Sequence, residues 1–249
     1  MDIFPLSEGS FTVDRTKEFV PFNKQTDNLL ERPTGSILVE VQPFLVRMKN
    51  ELVLLDTGLG FKLENGNLQL HQNILKQGFN PSDVTLVLLS HLHKDHAGGL
   101  EYAGSDGIVQ PTFKNARYCI YQKEMDLALS GKSTSYFPAQ YALIQNHPQL
   151  HYLNGQSGEI KSGIFFEHTG AHSPEHIAYK LIEDGQVFFF GGDVAPQLQQ
   201  MKNRFVAKYD FDGRKSMQLR TKWKEQGIAG NWTFLFYHDI KYPTHIFSS

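Results

Sequence analysis

The segment Ser90-His91-Leu92-His93-Lys94-Asp95-His96-Ala97-Gly98-Gly99 decides the fold of this 249-residue chain. It directly follows residues 84–89, which read Val-Thr-Leu-Val-Leu-Leu. A continuous run of this kind is typical of a strand buried on both faces. In a chain of this composition, the pattern His-x-His-x-Asp-His arises by chance about once in a thousand sequences. The histidine cluster at the end of a buried strand therefore indicates a functional site rather than a polar loop.

The spacing within the cluster points to metal binding. Residues two apart at a strand end project to the same side, so His91 and His93 can reach one ion together. Asp95 and His96 lie beyond a bend, where residues 98–99, both glycine, give the backbone freedom to turn. Imidazole and carboxylate ligands suit Zn²⁺, Mn²⁺ or Fe²⁺. Because four ligands within six residues exceed what one open tetrahedral ion needs, we expect two ions.

Further candidate ligands follow other predicted strands. His172 comes shortly after the strand predicted over residues 164–168, and Asp193 follows the strand predicted over 187–190. His238 follows the strand predicted over 232–236. One strand-end histidine or aspartate is usually a turn residue. Repeated at three strands, the pattern predicts a site built at one edge of a sheet.

Composition narrows the function classes. The 24 basic and 26 acidic residues give a net charge of −2, which argues against a general nucleic-acid binder. Cys119 is the only cysteine, so an internal disulfide framework and a cysteine-built zinc knuckle are excluded. No apolar stretch approaches the ~20 residues of a membrane helix, and the first residues do not form a secretory signal. We expect a cytoplasmic protein with no nucleic-acid or membrane partner.

The remaining pattern predicts an α/β fold. Further strands are predicted over residues 36–41, 44–48, 52–55, 118–121 and 177–182. Helices are predicted over residues 70–78, 122–130, 138–146 and 214–226, the last capped by Asp210 or Asp212 and stopped by Gly227. Hairpins near both sheet ends indicate two sheets packed together and flanked by helices. Since no break in composition divides the chain, residues 1–249 are expected to form one domain.

Together these motifs make the chain resemble the metallo-β-lactamase superfamily of hydrolases. The resemblance spans residues 36–239. Five motifs stand in the family's order: Asp56 in Leu54-Leu55-Asp56-Thr57-Gly58, the His91 to His96 cluster, His172, Asp193 and His238. The resemblance implies a four-layer αβ/βα sandwich of two mixed β-sheets flanked by helices, with the site at one edge of the sheets.

The resemblance also implies the ligands of two divalent ions, expected to be Zn²⁺ with Mn²⁺ or Fe²⁺ as alternatives. The ligands of the first ion are His91, His93 and His172. The ligands of the second are Asp95, His96 and His238. Asp193 would bridge the two ions, and it and Asp95 are the candidate catalytic residues. Asp56 would fix the tautomer of a ligand histidine, and His176 would support the ligands without binding an ion.

At several positions this chain differs from the residue pattern of individual branches of the superfamily, and these differences reduce the number of possible subfamilies. A carboxylate at Asp193, with Cys119 far from every motif, is similar to the lactonase, glyoxalase II, esterase and nuclease branches. His93 argues against flavodiiron proteins. Only 11 residues follow His238, so we do not expect the C-terminal helical domain of glyoxalase II. Quorum-quenching lactonases often carry a tyrosine three residues after the bridging aspartate, where this chain has Pro196. We therefore expect a member of the lactonase-like branch, but we do not assign an acyl-homoserine lactone as its substrate.

These features predict a binuclear metal-dependent hydrolase of lactones or esters. Two ions about 3.5–4 Å apart lower the pKa of a shared water, and the resulting hydroxide attacks the carbonyl. Asp193 would take or shuttle the proton. One alternative is a phosphodiesterase or nuclease on the same fold, supported by the small basic excess at Lys202, Arg204 and Lys208. A second alternative is a mononuclear iron oxygenase like the persulfide dioxygenases.

Two aromatic loops are candidates for substrate contact. Phe19 and Phe22 lie in an apolar N-terminal run, and Tyr136 and Phe137 lie in the loop over residues 133–138. If they line the mouth of the site, they favour a small-molecule substrate with an apolar acyl or aryl group. The alternative is that both loops only cap the core. The sequence leaves the oligomeric state open, a dimer included.

Overall fold

The computed structural model describes residues 1–104 and 107–248, in which strands alternate with short helices. The strands are β1 (Asp2–Pro5), β2 (Gly9–Val13), β3 (Val20–Pro21), β4 (Ile37–Val41), β5 (Phe44–Arg47), β6 (Leu52–Leu55), β7 (Leu86–Leu88), β8 (Glu101–Ala103), β9 (Val109–Pro111), β10 (Arg117–Tyr121), β11 (Leu150–Leu153), β12 (Ser157–Lys161), β13 (Ile164–His168), β14 (Ile177–Glu183), β15 (Gln186–Phe190), β16 (Thr233–Leu235) and β17 (Thr244–Ile246). The α-helices are α1 (Gln69–Lys76), α2 (Lys94–Ala97), α3 (Gln122–Leu129), α4 (Leu198–Lys202) and α5 (Gly213–Gly230).

The first large sheet is mixed and has the strand order β1-β5-β6-β7-β10-β11. The β1, β5 and β6 strands pair antiparallel. The β6, β7, β10 and β11 strands run parallel to one another. Every residue of β6 and β7 is buried, which is the pattern of strands covered on both faces.

The second large sheet has the order β12-β13-β14-β15-β16-β17. Its first four strands form an antiparallel meander. The β16 strand pairs parallel with β15, and β17 returns antiparallel beside it. The β14–β15 turn contains an Asp-Gly pair, which is typical of tight hairpins, with Asp184 at φ 50° and Gly185 at φ 75°.

Three apolar layers hold these elements together. The central layer lies between the sheets and joins residues such as Val53 and Leu55 of β6 to Tyr179 and Leu181 of β14. The outer face of the first sheet packs on α1 and α3. The outer face of the second sheet packs on α4 and α5, with Trp223 fully buried. Two mixed sheets flanked by helices on both outer faces confirm the predicted fold class.

The N-terminal segment adds strands that the sequence did not predict. The β1 strand extends the first sheet, while β2 pairs with β3 and β4 in a separate three-stranded sheet. Phe11 of β2 packs into the central layer, where its ring lies 6.0 Å from that of Phe19 and 5.5 Å from that of Phe61. The small sheet stands beside the edge where the candidate site lies.

Two helix predictions were wrong in detail. Residues 138–146 form two 3₁₀ turns, Pro138–Gln140 and Ile144–Asn146, because Tyr141 leaves the helical region at φ −141°. The α5 helix continues past Gly227 to Gly230 and is capped by Asn231, which is left-handed at φ 50°. A Cβ on Gly227 would lie 2.3 Å from the Phe234 ring, so this glycine serves close packing rather than helix termination. Within the described ranges, no helix has the length and apolar character that crossing a membrane requires.

Candidate metal centre

The candidate ligands lie on loops that leave strands at one edge of the two sheets. The histidine cluster follows β7 and forms the one-turn α2 helix. His172 lies in the loop between β13 and β14, and Asp193 lies in a 3₁₀ turn after β15. His238 follows β16. The first sheet therefore supplies the cluster, and the second sheet supplies the remaining three side chains.

The structure brings the first predicted group together. The Nε2 atom of His91 lies 3.0 Å from Nδ1 of His93, and the Nε2 atom of His172 lies 3.2 Å from the same Nδ1. One donor atom from each residue fits within 4.8 Å of the others. The three imidazoles can therefore present nitrogen atoms to a common point.

The second predicted group converges beside the first. The Nε2 atoms of His96 and His238 lie 3.5 and 3.4 Å from Oδ2 of Asp95. Asp193 faces both groups with different oxygens. Its Oδ1 is 3.2 Å from Nε2 of His96 and 3.1 Å from Nε2 of His238, while its Oδ2 is 3.3 Å from Nε2 of His172. One carboxylate thus stands between the two groups.

The donor atoms fit divalent metal ions. A tetrahedral ion with ligands at about 2.0–2.1 Å separates neighbouring donors by about 3.3–3.4 Å, which matches these spacings. The His96 Nε2 and Asp193 Oδ1 atoms are buried, and neither forms a hydrogen bond within the described residues. Buried polar atoms that lack a hydrogen-bond partner are typical of a site that holds an ion or a water molecule. The donor set therefore fits divalent metal ions.

Hydrogen bonds to the remaining ring nitrogens orient the histidines. Nδ1 of His96 donates to Oδ2 of Asp56 at 2.7 Å, and Nδ1 of His238 donates to the Glu40 carbonyl at 2.6 Å. Nδ1 of His172 donates to Oδ1 of Asp210 at 2.9 Å. Because each bond occupies Nδ1, Nε2 is the ring nitrogen that these three histidines can offer to a metal ion.

Asp56, predicted to fix the tautomer of a ligand histidine, contacts the ring of His96. It is fully buried, and it also accepts hydrogen bonds from the Ser90 amide and hydroxyl, each at 2.7 Å. Its backbone is left-handed at φ 58°, an uncommon conformation for an aspartate. Asp56 therefore links the end of β6 to the first residue of the cluster and to His96.

His176 lies behind the candidate ligands rather than among them. Its Nε2 accepts the Asp193 amide at 3.2 Å, and its Nδ1 lies 2.9 Å from Oγ1 of Thr169. In this position His176 orients Asp193 through its backbone amide. This placement suits the predicted supporting role.

Burial and neighbouring charges set the protonation states. Burial, followed by repulsion from neighbouring histidines, holds the pKa of His91 and His93 well below the usual value. Burial opposes ionisation of Asp193, but the charges of His238, His96 and His172 outweigh it and hold the pKa of this carboxyl well below its usual range. Burial alone would lower the pKa of His96, His172 and His238, but the facing Asp193 carboxylate raises it in all three. A divalent cation bound there would replace those protons, because metals bind neutral imidazole and ionised carboxylate.

Sequence reasoning missed two residues of the site. The sequence pattern indicates Asp210 only as a helix cap, yet its carboxylate accepts a hydrogen bond from the ring of His172, 38 positions away. Glu124 is buried in α3, where its carboxylate accepts the Leu92 amide at 2.9 Å and the Ser173 hydroxyl at 3.2 Å. It therefore ties the cluster loop to the loop of His172. Neither residue lies in a motif, so no local signal could have identified it.

A cavity of about 910 Å³ opens over the site. Its floor contains candidate ligands of both groups, and Phe19 is part of its wall. Tyr136 is buried with its ring 4.9 Å from that of His93, so it packs behind a ligand rather than lining the cavity. Phe22 and Phe137 also lie outside the lining, and Phe137 is 58% exposed at the start of a 3₁₀ turn.

The fold and the donor groups define a known class of protein. Residues 38–238 match the family model of the metallo-beta-lactamase superfamily, and the chain belongs to that superfamily. The predicted resemblance is confirmed.

Among curated proteins, the chain is similar to two enzymes named N-acyl homoserine lactonase AiiB. It is 29% identical to the protein from Agrobacterium fabrum and 27% identical to that from Rhizobium rhizogenes, each over 128 residues. Each match covers 43% of this chain and 45% of the relative. The chain therefore spans less than half the length of the curated relatives it matches.

Solved structures resemble the whole chain. A probable metal-dependent hydrolase from Staphylococcus aureus superposes with a TM-score of 0.81 at 22% identity, covering 99% of this chain and 92% of that protein. AidC, a dizinc quorum-quenching lactonase in complex with an acyl-homoserine product, superposes with a TM-score of 0.72 at 20% identity, covering 99% and 90%. At these identities the likeness shows a shared fold.

Proposed function

We propose that the protein is a hydrolase that holds two divalent ions, expected to be Zn²⁺, and cleaves the carbonyl bond of a lactone or carboxylic ester. The observation that carries this proposal is the position of Asp193, whose two oxygens face different donor groups at 3.1–3.3 Å. A carboxylate shared in this way suits a two-ion site. The lactonases named among the similar proteins support a carbonyl substrate.

Two ions bound by these groups would raise the acidity of a water and polarise the carbonyl oxygen of the substrate. As an ionised carboxylate, Asp193 would accept the proton of that water with one of its oxygens and return it to the leaving alkoxide. The amide of Asp193 donates to Nε2 of His176, which keeps the carboxylate aimed between the two groups. Asp95 completes the second group and is proposed as the other catalytic carboxylate.

The proposal is tested first by metal content. The purified chain, supplemented with Zn²⁺ and then dialysed, should carry close to two ions by elemental analysis. One ion or fewer would count against the two-ion site, and a single iron with redox activity would favour the oxygenase alternative.

Activity is tested with matched panels of lactones, aryl esters, thioesters and phosphodiesters. We expect turnover of lactones or esters, its loss on chelation and its recovery on addition of Zn²⁺. Turnover restricted to phosphodiesters would refute the carbonyl assignment. That alternative has one observation in its favour, because Lys208 of the predicted basic excess lines the cavity.

A further inference from the structure

The cavity over the candidate metal centre has a cationic wall. Five basic side chains line it: Arg15, Lys17, Arg32, Lys94 and Lys208. None of the five forms an ion pair with any carboxylate among the described residues. Apart from the candidate metal ligands, Asp14 is the only acidic residue of the lining. Because the whole chain carries a net charge of −2, this local excess does not follow from a basic composition.

Lys17 is held in place at this wall. Its ammonium donates to the hydroxyl of Ser135 at 2.7 Å and to that of Thr134 at 3.2 Å. Both partners are neutral, so they position the charge without compensating it. The backbone of Lys17 is left-handed at φ 61°, which costs about 1 kcal/mol or more for a residue with a side chain. The turn thus keeps an unpaired cation beside the cavity at a conformational cost.

A second cation approaches the same space from the histidine cluster. Lys94 precedes the candidate ligand Asp95, and its ammonium lies 5.5 Å from the centre of the Phe19 ring. An aromatic face can hold an ammonium without neutralising it. Lys17 and Lys94 therefore present positive charge near the candidate ligands.

The cavity also has an apolar surface. Ile37, Leu38 and Val39 of the β4 segment line it together with Phe19 and Phe205. Ile37 and Phe205 are each 43% exposed, so apolar area is available to a ligand. The lining therefore offers three kinds of contact: candidate metal ligands, an apolar strip and unpaired cations.

We propose that the substrate is an amphiphilic organic anion, an ester or lactone that bears a carboxylate or phosphate separated from the scissile carbonyl by an apolar segment. The apolar segment lies along the β4 strip and Phe19, and the anionic group pairs with Lys17 and Arg32. Arg32 suits this role because a guanidinium binds carboxylate or phosphate through two parallel hydrogen bonds. The assignment of the scissile bond rests on the proposed function, whereas the binding of the anion does not.

Two esters with the same leaving group test the proposal. 4-Nitrophenyl hexanoate and mono-(4-nitrophenyl) adipate have acyl chains of equal length, ending in a methyl group and a carboxylate respectively. For the Zn²⁺-loaded protein at low salt, we expect kcat/KM to be about tenfold higher for the adipate ester. The ratio should fall as salt screens the charges. A third ester, with a terminal phosphate in place of the carboxylate, shows by its kcat/KM which of the two anionic groups the cavity prefers.

Variants show whether the cavity cations cause the difference. The double variant Lys17→Gln with Arg32→Gln should bring the ratio of the two kcat/KM values close to one. Lys202→Gln is the control, because Lys202 is an exposed residue outside the cavity lining. It should leave the ratio unchanged. Metal content of each variant shows that the centre has been retained.

Calorimetry supplies a measurement that does not depend on turnover. Adipate should bind the Zn²⁺-loaded protein about tenfold more tightly than hexanoate, and the double variant should lose this difference. Equal binding of the two acids would overturn the proposal, as would a kcat/KM ratio that the double variant does not change. If adipate binds more tightly but only bis(4-nitrophenyl) phosphate is hydrolysed, the cationic wall is supported and the carbonyl assignment fails.

Discussion

Replacing Asp56 by asparagine should weaken one of the two proposed metal sites and spare the other. Oδ2 of Asp56 accepts the Nδ1 proton of His96 at 2.7 Å, and both residues are fully buried. Asparagine tolerates the left-handed backbone at φ 58°, so the change alters hydrogen bonding with little added strain. Its oxygen can still accept the Ser90 amide. Its NH₂ group then faces Nδ1 of His96, which favours the tautomer that carries the proton on Nε2.

The magnitude follows from the role of that proton. An imidazole protonated on Nε2 cannot bind a metal through that atom, so the correct tautomer must be recovered at a free-energy cost. Residues that orient ligand histidines typically contribute 10–100-fold to metal affinity. That range corresponds to about 1.4–2.7 kcal/mol. The loss should fall on the ion held by Asp95, His96 and His238, while the site of His91, His93 and His172 keeps its affinity.

Competition with a chromophoric zinc chelator measures the two affinities separately. The wild-type protein should retain two ions at chelator concentrations that remove one from Asp56→Asn. Asp212→Asn is the matched control, because Asp212 caps α5 through a hydrogen bond from the Lys215 amide at 2.9 Å. If Asp56→Asn holds both ions as tightly as the wild type, the tautomer argument is wrong.

Three further predictions test other parts of the structure. Asp193→Ala should lower kcat more than His176→Ala, since Asp193 faces both donor groups and His176 only accepts its amide; equal losses would mean that the roles are misassigned. Burial raises the pKa of Glu8 from 4.5 to about 7, so the folded state keeps a proton that the unfolded state loses between these pH values. The stabilisation by protonated Glu8 is therefore fully present below pH 4.5 and is lost as the pH rises through 7, which lowers the free energy of unfolding by about 3 kcal/mol. In urea titrations at several pH values, Glu8→Gln should lack this pH dependence. Gly98→Ala would place a Cβ 2.3 Å from the Leu59 carbonyl oxygen and should destabilise the fold by about 1–3 kcal/mol. An unchanged midpoint of urea unfolding would argue against this close packing.

Residues whose role is local were predictable from the sequence. The run before His91 indicated a strand buried on both faces, and β7 is fully buried over Leu86–Leu88. The spacing of His91 and His93 placed two imidazoles on one side, and their ring nitrogens do approach to 3.0 Å. In these cases the pattern of neighbouring residues carries the information.

Residues that act through distant partners were not predictable. Asp210 reaches His172 only because the chain returns to the site just before α5. Glycine is typical of helix ends, so the sequence predicted a helix end at Gly227. The Phe234 ring instead packs where a side chain at this position would lie. The cavity cations come from separate loops that no single window of sequence contains. Such contacts depend on tertiary packing, which local propensity does not record.

The candidate ligands come from both sheets, so metal binding should affect how firmly the two sheets are held together. Each proposed ion takes two ligands from the loop after β7 and a third from the second sheet, either His172 or His238. A bound ion is thus a crosslink between the two halves of the sandwich, and Asp193 couples the two crosslinks. A ligand that binds only the folded state stabilises it by mass action. Removal of the metal should therefore weaken the packing between the two sheets before it disturbs the pairing of strands within either sheet.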